Sequence, residues 1–497
     1  MTGGAEDLDV LIVGAGISGI DGAYHLQKNF PDKSYAILEA RERIGGTWDL
    51  FRYPGIRSDS DMYTLGFPFR PWTGDKSIAE GGDIRAYVED TARDFGIDRH
   101  IRFRHRVTKA DWSSDEARWT VEAETDEGPR RYRARFLYLG SGYYDYAGGY
   151  RPEWPGEQNF KGRFVHPQSW PEDLDYTDKR IVVIGSGATA VTLVPALAGK
   201  AAHVTMLQRS PSWVVARPSG DGVARWLQRR LPARAAAGTI RFKNVLLGAI
   251  FFRRARKRPE KVRALLLKWV KEQLPGRDIE RDFVPAYNPW DQRVCLAPDG
   301  DLFRAIREDR VSVVTDTIAR FTRTGIALSS GATLEADIVV TATGLVMKIL
   351  GGIAIAVDGA PVNVAERISY KGMMLNDVPN MILSFGYTNA SWTLKCDLTA
   401  RYFCRLLGHM DRHRLDLCVP RLPAEGVERQ PMLDFSSGYV QRAAASLPAQ
   451  GTKPPWRVYQ NYYRDFAALG LGIVTDGVME FRRAKGQAKV TPRTGAG

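Results

Sequence analysis

The sequence predicts an α/β chain carrying two strand–turn–helix–strand units and a helical insertion. Three observations lead there. A β-branched apolar run, a glycine turn, a helical stretch and a second apolar run follow one another between Asp9 and Glu39. The same order recurs between Lys179 and Arg209. Between about Gly220 and Pro289 strand patterns vanish and Arg, Leu and Ala dominate. A crossover helix is what lets a chain lay a second strand parallel to its first, so each repeated unit implies a parallel sheet with a helix on its face.

The elements follow in order. DVLIVG (Asp9 to Gly14) reads as a strand, GAGISG as its turn, Ile17 to about Asn29 as a helix and SYAILE (Ser34 to Glu39) as the next strand. In the second unit KRIVVIG (Lys179 to Gly185) is a strand, GSGATA the turn, ATAVTLVPALA a helix and HVTMLQR (His203 to Arg209) a strand. Pro232, Pro259 and Pro275 punctuate the insertion into separate helices, and DIVVTATG (Asp337 to Gly344) is a buried strand ending in a glycine turn. AKGQAKVTPRTGAG closes the chain as a solvated tail.

At 497 residues the chain has room for about three domains. Hydrophobic residues at 44%, charged at 26% and aromatic at 10% exclude a disordered, collagenous or coiled-coil protein. The run VLLGAIFF (Val245 to Phe252) is far shorter than the ~20 residues of a membrane span, so none is expected. Glu6, Asp7 and Asp9 precede the first apolar run, where a secretory signal would carry positive charge, so a cytoplasmic location is expected. The four cysteines, Cys295, Cys396, Cys404 and Cys418, form no CxxC pair, which argues against a disulfide framework or a thiol–disulfide active site. No His, Cys or acidic cluster has metal-ligand spacing, and no metal is expected.

The glycine turns carry the first chemistry. In GAGISG, Gly14 permits the tight turn, Gly16 lets backbone approach a pyrophosphate and Gly19 allows close helix–strand packing. The helix start behind them offers free N–H donors to phosphate oxygens. Glu39 ends the second strand, placed to accept hydrogen bonds from an adenosine ribose. GSGATA repeats the pattern with Gly185, Gly187 and Ala190, but its second strand ends in Arg209 and Ser210. An acid there would repel a 2′-phosphate, whereas a guanidinium holds it. Two Rossmann-like domains follow, the first suited to FAD and the second to NADPH.

Two longer patterns narrow the chemistry. GGTWDLFRYPGIRSD contains Gly45, Gly46, Trp48, Tyr53, Pro54, Gly55 and Asp59, and FKGRFVHPQSWP contains Phe160, Gly162, His166, Trp170 and Pro171. Both resemble fingerprints of the Baeyer–Villiger monooxygenases, a branch of the class B flavoprotein monooxygenases. N- and S-oxidising relatives usually carry Tyr or Phe where this chain has Trp170. The resemblance, which NPWDQR, ATG and GYTNASWTLK extend nearly end to end, implies an FAD domain interrupted by an NADP domain that itself carries the insertion. The boundaries are 1–150 for the first part of the FAD domain and 151–220 for the first part of the NADP domain. The helical insertion is 221–290, the NADP domain resumes over 291–375, and the FAD domain with the tail occupies 376–497.

The resemblance also implies the site. Ser18, Glu39, Thr47, Trp48, Asp49 and Asp59 match FAD-site positions, and Val107 a backbone contact near the adenine. Gly185, Ser186, Gly187, Ala188, Thr189, Ala190, Arg209 and Ser210 match the NADP site. Arg293 matches the catalytic arginine, with Asp59 as the partner that orients it. Many family members have Lys immediately before that arginine; Gln292 stands here, which implies a weaker preference for NADPH over NADH. The implied activity takes a hydride from NADPH onto FAD, then inserts one atom of O2 beside a ketone carbonyl to give an ester or lactone. Sulfides and thioamides are further expected substrates, and an N- or S-oxidising monooxygenase is the alternative. His166 sits in a linker motif and reads as structural.

The net charge is +13, from 70 Lys and Arg against 57 acids, and between Arg241 and Arg277 twelve basic residues meet two acids. That stretch lacks regularly interleaved aromatics and any nucleic-acid reader motif. It reads as a helical cap whose apolar face, Val245, Leu246, Ile250 and Phe251, packs inward. Nucleic acid is not an expected partner, and peripheral attachment to an anionic membrane surface is the lesser alternative for this stretch, not the expected one.

Overall fold

The computed structural model describes residues 5–484, so the expected tail beyond Ala484 lies outside the described residues. Strand β1 (Glu6–Val13) leads through helix α1 (Ile17–Asn29) to β2 (Tyr35–Leu38). β1 and β2 run parallel, with Val10 opposite Tyr35 and Val13 opposite Leu38. α1 begins at the turn because Gly14 to Gly19 leave the backbone room. A Cβ on Gly19 would stand 1.8 Å from the Gly14 carbonyl oxygen, so no larger residue fits there.

β1 also lies parallel to the strand Arg130–Leu139, which continues through Arg118–Glu124 and Arg106–Ser113 as an antiparallel meander. These strands belong to a nine-stranded sheet. The second unit stands in a separate five-stranded sheet, all of whose pairings are parallel. Arg180–Ile184 lies at its centre, followed by the helix Ala188–Leu197 and the strand His203–Gln208. Ile338–Thr341 pairs on the other side of Arg180–Ile184. The chain is back in the first sheet at Ala354–Val357, which pairs with Lys109–Trp112 some twenty residues ahead of the expected boundary at 376. No composition change marks that return, because the pairing is set by a partner strand more than 200 residues earlier.

The insertion is helical over Gly222–Arg230, Ala233–Lys257, Pro259–Gln273 and Glu280–Phe283. Pro232 immediately precedes the second helix and Pro259 opens the third, positions where a missing N–H costs nothing. The expected inward packing of its apolar face holds in part and is otherwise corrected. Val245 is buried and Phe251 packs on a small core cluster, but Leu246 and Ile250 are 37% and 38% exposed. Ala233–Lys257 is also long and apolar enough by length and composition to cross a membrane, which the short run VLLGAIFF did not foreshadow. Polar bonds fix its inner side to the protein: Arg241 donates to the carbonyls of Tyr63 and Gly66 at 3.1 and 2.8 Å, and Asn244 to Asp61 at 2.8 Å.

Candidate active site

The two glycine turns face one cavity of about 1350 Å³. Pockets that take a single drug-sized ligand measure about 300–1,000 Å³, and this one is larger. Gly14, Gly16, Ser18, Glu39, Thr47, Trp48 and Val107 line it from the first domain. Gly185, Ser186, Gly187, Ala188, Thr189, Arg209 and Ser210 line it from the second, and Asp59, Gln292 and Arg293 lie between.

The two halves are locked by the GGTWDLFRYPGIRSD segment. Leu50, Phe51 and Tyr53 belong to the core cluster of the second domain. Gly55 is pressed on the helix Ala188–Leu197 so closely that a Cβ would meet the Thr192 carbonyl oxygen at 2.9 Å. The fingerprint is therefore a joint between the domains as well as a wall of the cavity.

Glu39 is buried, and its two oxygens accept from the backbone N–H groups of Ala15 at 2.7 Å and Arg41 at 2.9 Å. Burial raises its pKa against those donors. Ser18 is tied to the far end of the sequence: Trp392 donates to its hydroxyl at 2.8 Å, and the Cys396 sulfur lies 3.3 Å away. Asp49 does not line the cavity. Its carboxylate is 1% exposed and clamped by Arg41 at 2.6 Å and Arg52 at 2.9 Å. Burial alone would raise that carboxyl, yet the hydrogen bonds and charge of the arginines hold it below its usual value. Gly19 and Ala190 also lie off the cavity wall, inside the packing of helix on strand.

Arg293 donates to Asp59 at 2.7 Å and to the Thr388 carbonyl at 3.3 Å. Burial would lower its pKa, but Asp59 and the tyrosines around it raise it further, so the guanidinium is a fixed cation. Its side chain keeps 30% of its surface open. Tyr143, Tyr144 and Tyr439 stand close to it and line the cavity, the hydroxyls of Tyr143 and Tyr144 being 2.5 Å apart. Tyr143 also stacks on Trp392 with ring centroids 5.0 Å apart. Sequence reasoning missed this aromatic wall. GSGYYDY, which follows a long strand at a glycine turn, was its one local signal.

Other expectations fall as follows. The His166 ring accepts from the Gln168 N–H at 3.1 Å, capping the turn at 167–169, and burial lowers its pKa. Trp170 packs edge-on to Tyr176 outside the cavity. Cys295 is buried and its thiol is pushed up to about 12, which makes it inert. Asp21, His25 and Asp397, far apart in sequence, bring ligand atoms within 4.8 Å of one another. The His25 Nε2 to Asp397 contact of 2.9 Å is a hydrogen bond.

The cavity fits two dinucleotides. A Cβ on Gly187 would meet nothing within 4 Å, so the protein does not itself require glycine there and the open space faces the helix start. Ser58, Ser141, Trp290 and Asn389, all cavity-lining, each keep a buried polar atom without a protein partner. Arg209 is exposed at the cavity wall, and among the described residues no carboxylate lies within ion-pair distance of it.

The family model for NAD(P)-binding Rossmann-like domains matches residues 12–73, and that for flavin-binding monooxygenase-like proteins matches residues 75–234. The FAD-containing monooxygenase EthA of Mycobacterium tuberculosis (strain ATCC 25618 / H37Rv) is 55% identical over 480 residues, covering 96% of this chain and 98% of that one. The probable FAD-binding monooxygenase AlmA of an Acinetobacter species is 48% identical over 481 residues, covering 96% and 97%. The crystal structure of cyclohexanone monooxygenase from Rhodococcus sp. Phi1 bound to NADP+ aligns with a TM-score of 0.74 at 22% identity, covering 97% of this chain and all of that one. At that identity it speaks for the fold. With both dinucleotide turns on one cavity and relatives this similar over almost the whole length, the chain belongs to the EthA family of FAD-containing monooxygenases.

Proposed function

We propose that the chain is an NADPH-consuming Baeyer–Villiger monooxygenase, converting a ketone and O2 to an ester or lactone, with sulfides as further substrates. One observation carries the reading: a permanently charged arginine, Arg293, opens onto the cavity shared by both glycine turns and is aimed by Asp59 at 2.7 Å. Bound FAD and NADPH supply hydride transfer and the activation of O2.

The chain's own residues do the rest. The helix starts behind Gly16 and Gly187 present N–H groups to the two pyrophosphates. Glu39 takes the ribose of one cofactor, and Arg209 the 2′-phosphate of the other. Arg293 faces the negative charge that develops on oxygen during its transfer, and a fixed cation is already oriented when that charge appears. Asp59 holds the guanidinium in place, and the Thr388 carbonyl restricts its swing. Tyr143, Tyr144, Trp392 and Tyr439 wall this part of the cavity with aromatic surface, which admits an apolar substrate and limits water.

The test is direct. The purified protein, yellow with FAD, is given NADPH and a panel of linear, cyclic and aryl ketones and sulfides, and products are identified by mass spectrometry. Ketone-stimulated NADPH consumption with ester formation is expected. N-oxides from amines with no ester from any ketone would place the chain with the N-oxidising enzymes instead.

A further inference from the structure

The positive charge of the chain is concentrated in one place. Between Gly222 and Gln273 stand 15 Lys and Arg and two acids, a net charge of +13. The whole chain has 70 against 57, so everything outside this segment holds 55 of each and is neutral. Catalysis does not use these cations: none of them lines the cavity.

The same segment turns large apolar side chains to solvent. On the helix Ala233–Lys257, Phe242, Leu246 and Ile250 are 60%, 37% and 38% exposed. Their spacing of four puts them in one row along the outer face, and Arg253 and Lys257 continue that row toward the helix end. Trp226 on the preceding helix and Trp269 on the following one are also exposed. The inner side is bonded to the body of the protein through Arg241 and Asn244 and packs Val245 against Tyr387 and Leu394. This helix is held along the surface with an apolar stripe outward and cations at its end.

We propose that this face docks on an anionic lipid bilayer, with the helix lying in the plane of the interface. Apolar side chains enter the boundary of headgroups and acyl chains while Arg and Lys meet the anionic headgroups. Exposed tryptophans suit the same layer. A second copy of the chain would set one face of this charge against another. A polynucleotide would neutralise the cations and leave the row of Phe242, Leu246 and Ile250 in water.

The test floats the full-length, FAD-loaded protein with vesicles of phosphatidylcholine alone and with vesicles in which about a third of the lipid is phosphatidylglycerol, at low and high salt. Anionic vesicles carry the protein, neutral ones carry far less, and salt releases it. Each neutralised cation lowers the partition coefficient about fivefold, so Arg253→Gln/Arg254→Gln/Lys257→Gln lowers it roughly a hundredfold. Phe242→Ser also weakens binding at low salt, with FAD content and unfolding temperature unchanged because that side chain is 60% exposed. Failure of the wild type to float with anionic vesicles at low salt overturns the proposal, whatever the variants do. So does a serine variant that floats like the wild type, or an oligonucleotide that binds the protein more tightly than the vesicles. A dimer in sedimentation that the serine variant abolishes would assign the face to a second copy.

Discussion

Arg293→Ala removes one charge from a site where the structure shows what remains. Asp59 loses its partner at 2.7 Å but keeps 39% of its side-chain surface in solvent, so the folding cost is that of a semi-exposed pair, about 1 kcal/mol or less. The variant is expected to fold and stay yellow, since Arg293 stands apart from the turn residues assigned to FAD. At about 3 Å and an effective dielectric near 20, a guanidinium stabilises a full negative charge by roughly 5 kcal/mol. Loss of one preorganised donor typically costs ~3–4 kcal/mol, so ester formation is expected to fall about a hundredfold to a thousandfold. Flavin reduction by NADPH depends on alignment of the nicotinamide and survives. Rapid mixing separates the two halves: anaerobic bleaching of the flavin reports reduction, and product release into oxygenated buffer reports transfer. The variant keeps consuming NADPH and releases hydrogen peroxide instead of ester. Near wild-type ester production, or loss of flavin from a folded protein, would remove Arg293 from the role assigned to it.

Arg209→Ala raises the KM for NADPH over that for NADH by about 10- to 150-fold, the range of one charged hydrogen bond; equal change for both cofactors would separate Arg209 from the 2′-phosphate. Gly187→Ala leaves the unfolding temperature within a few degrees, because its Cβ meets nothing, yet weakens NADPH. Gly19→Ala instead forces a clash with the Gly14 carbonyl and costs both stability and FAD. Asp49→Asn destabilises the protein by about 1–3 kcal/mol at neutral pH. Because the folded protein holds the Asp49 carboxyl below its usual value, that stability is present above about pH 4 and is lost as pH falls through the lowered folded value. Denaturant titrations of the two proteins therefore converge in acid, and a gap that persists there would mean another group supplies the difference.

The glycine turns were legible in the sequence because their causes are local. A turn that admits no Cβ must be glycine whatever the rest of the chain does, and Glu39 and Arg209 follow at fixed distances along one strand. The meander from Arg106 to Leu139 and the return at Ala354 were not legible, since strand pairing across 200 residues leaves no periodic trace in either strand. Tyr143, Tyr144 and Tyr439 converge on Arg293 from two separate segments, and neither carries a spacing that marks it. Asp49 shows what the sequence does not carry: the resemblance matches it to an FAD-site position, and the three arginines that clamp its carboxylate come from separate places in the chain. The helix Ala233–Lys257 shows why pattern alone misjudges a face. It is apolar on more than one side, and only the partners of Arg241, Asn244 and Val245 decide which side is covered.

The central claim is that this cavity directs one atom of O2 into a ketone beside its carbonyl. Turnover under isotopically labelled O2, with NADPH and a ketone that the enzyme consumes, tests it most directly. The account predicts an ester or lactone carrying one labelled oxygen per NADPH oxidised, placed in the ring or bridging position, with the other labelled atom in water. NADPH oxidised across the whole ketone and sulfide panel to hydrogen peroxide alone, or an ester whose new oxygen comes from water, would contradict it.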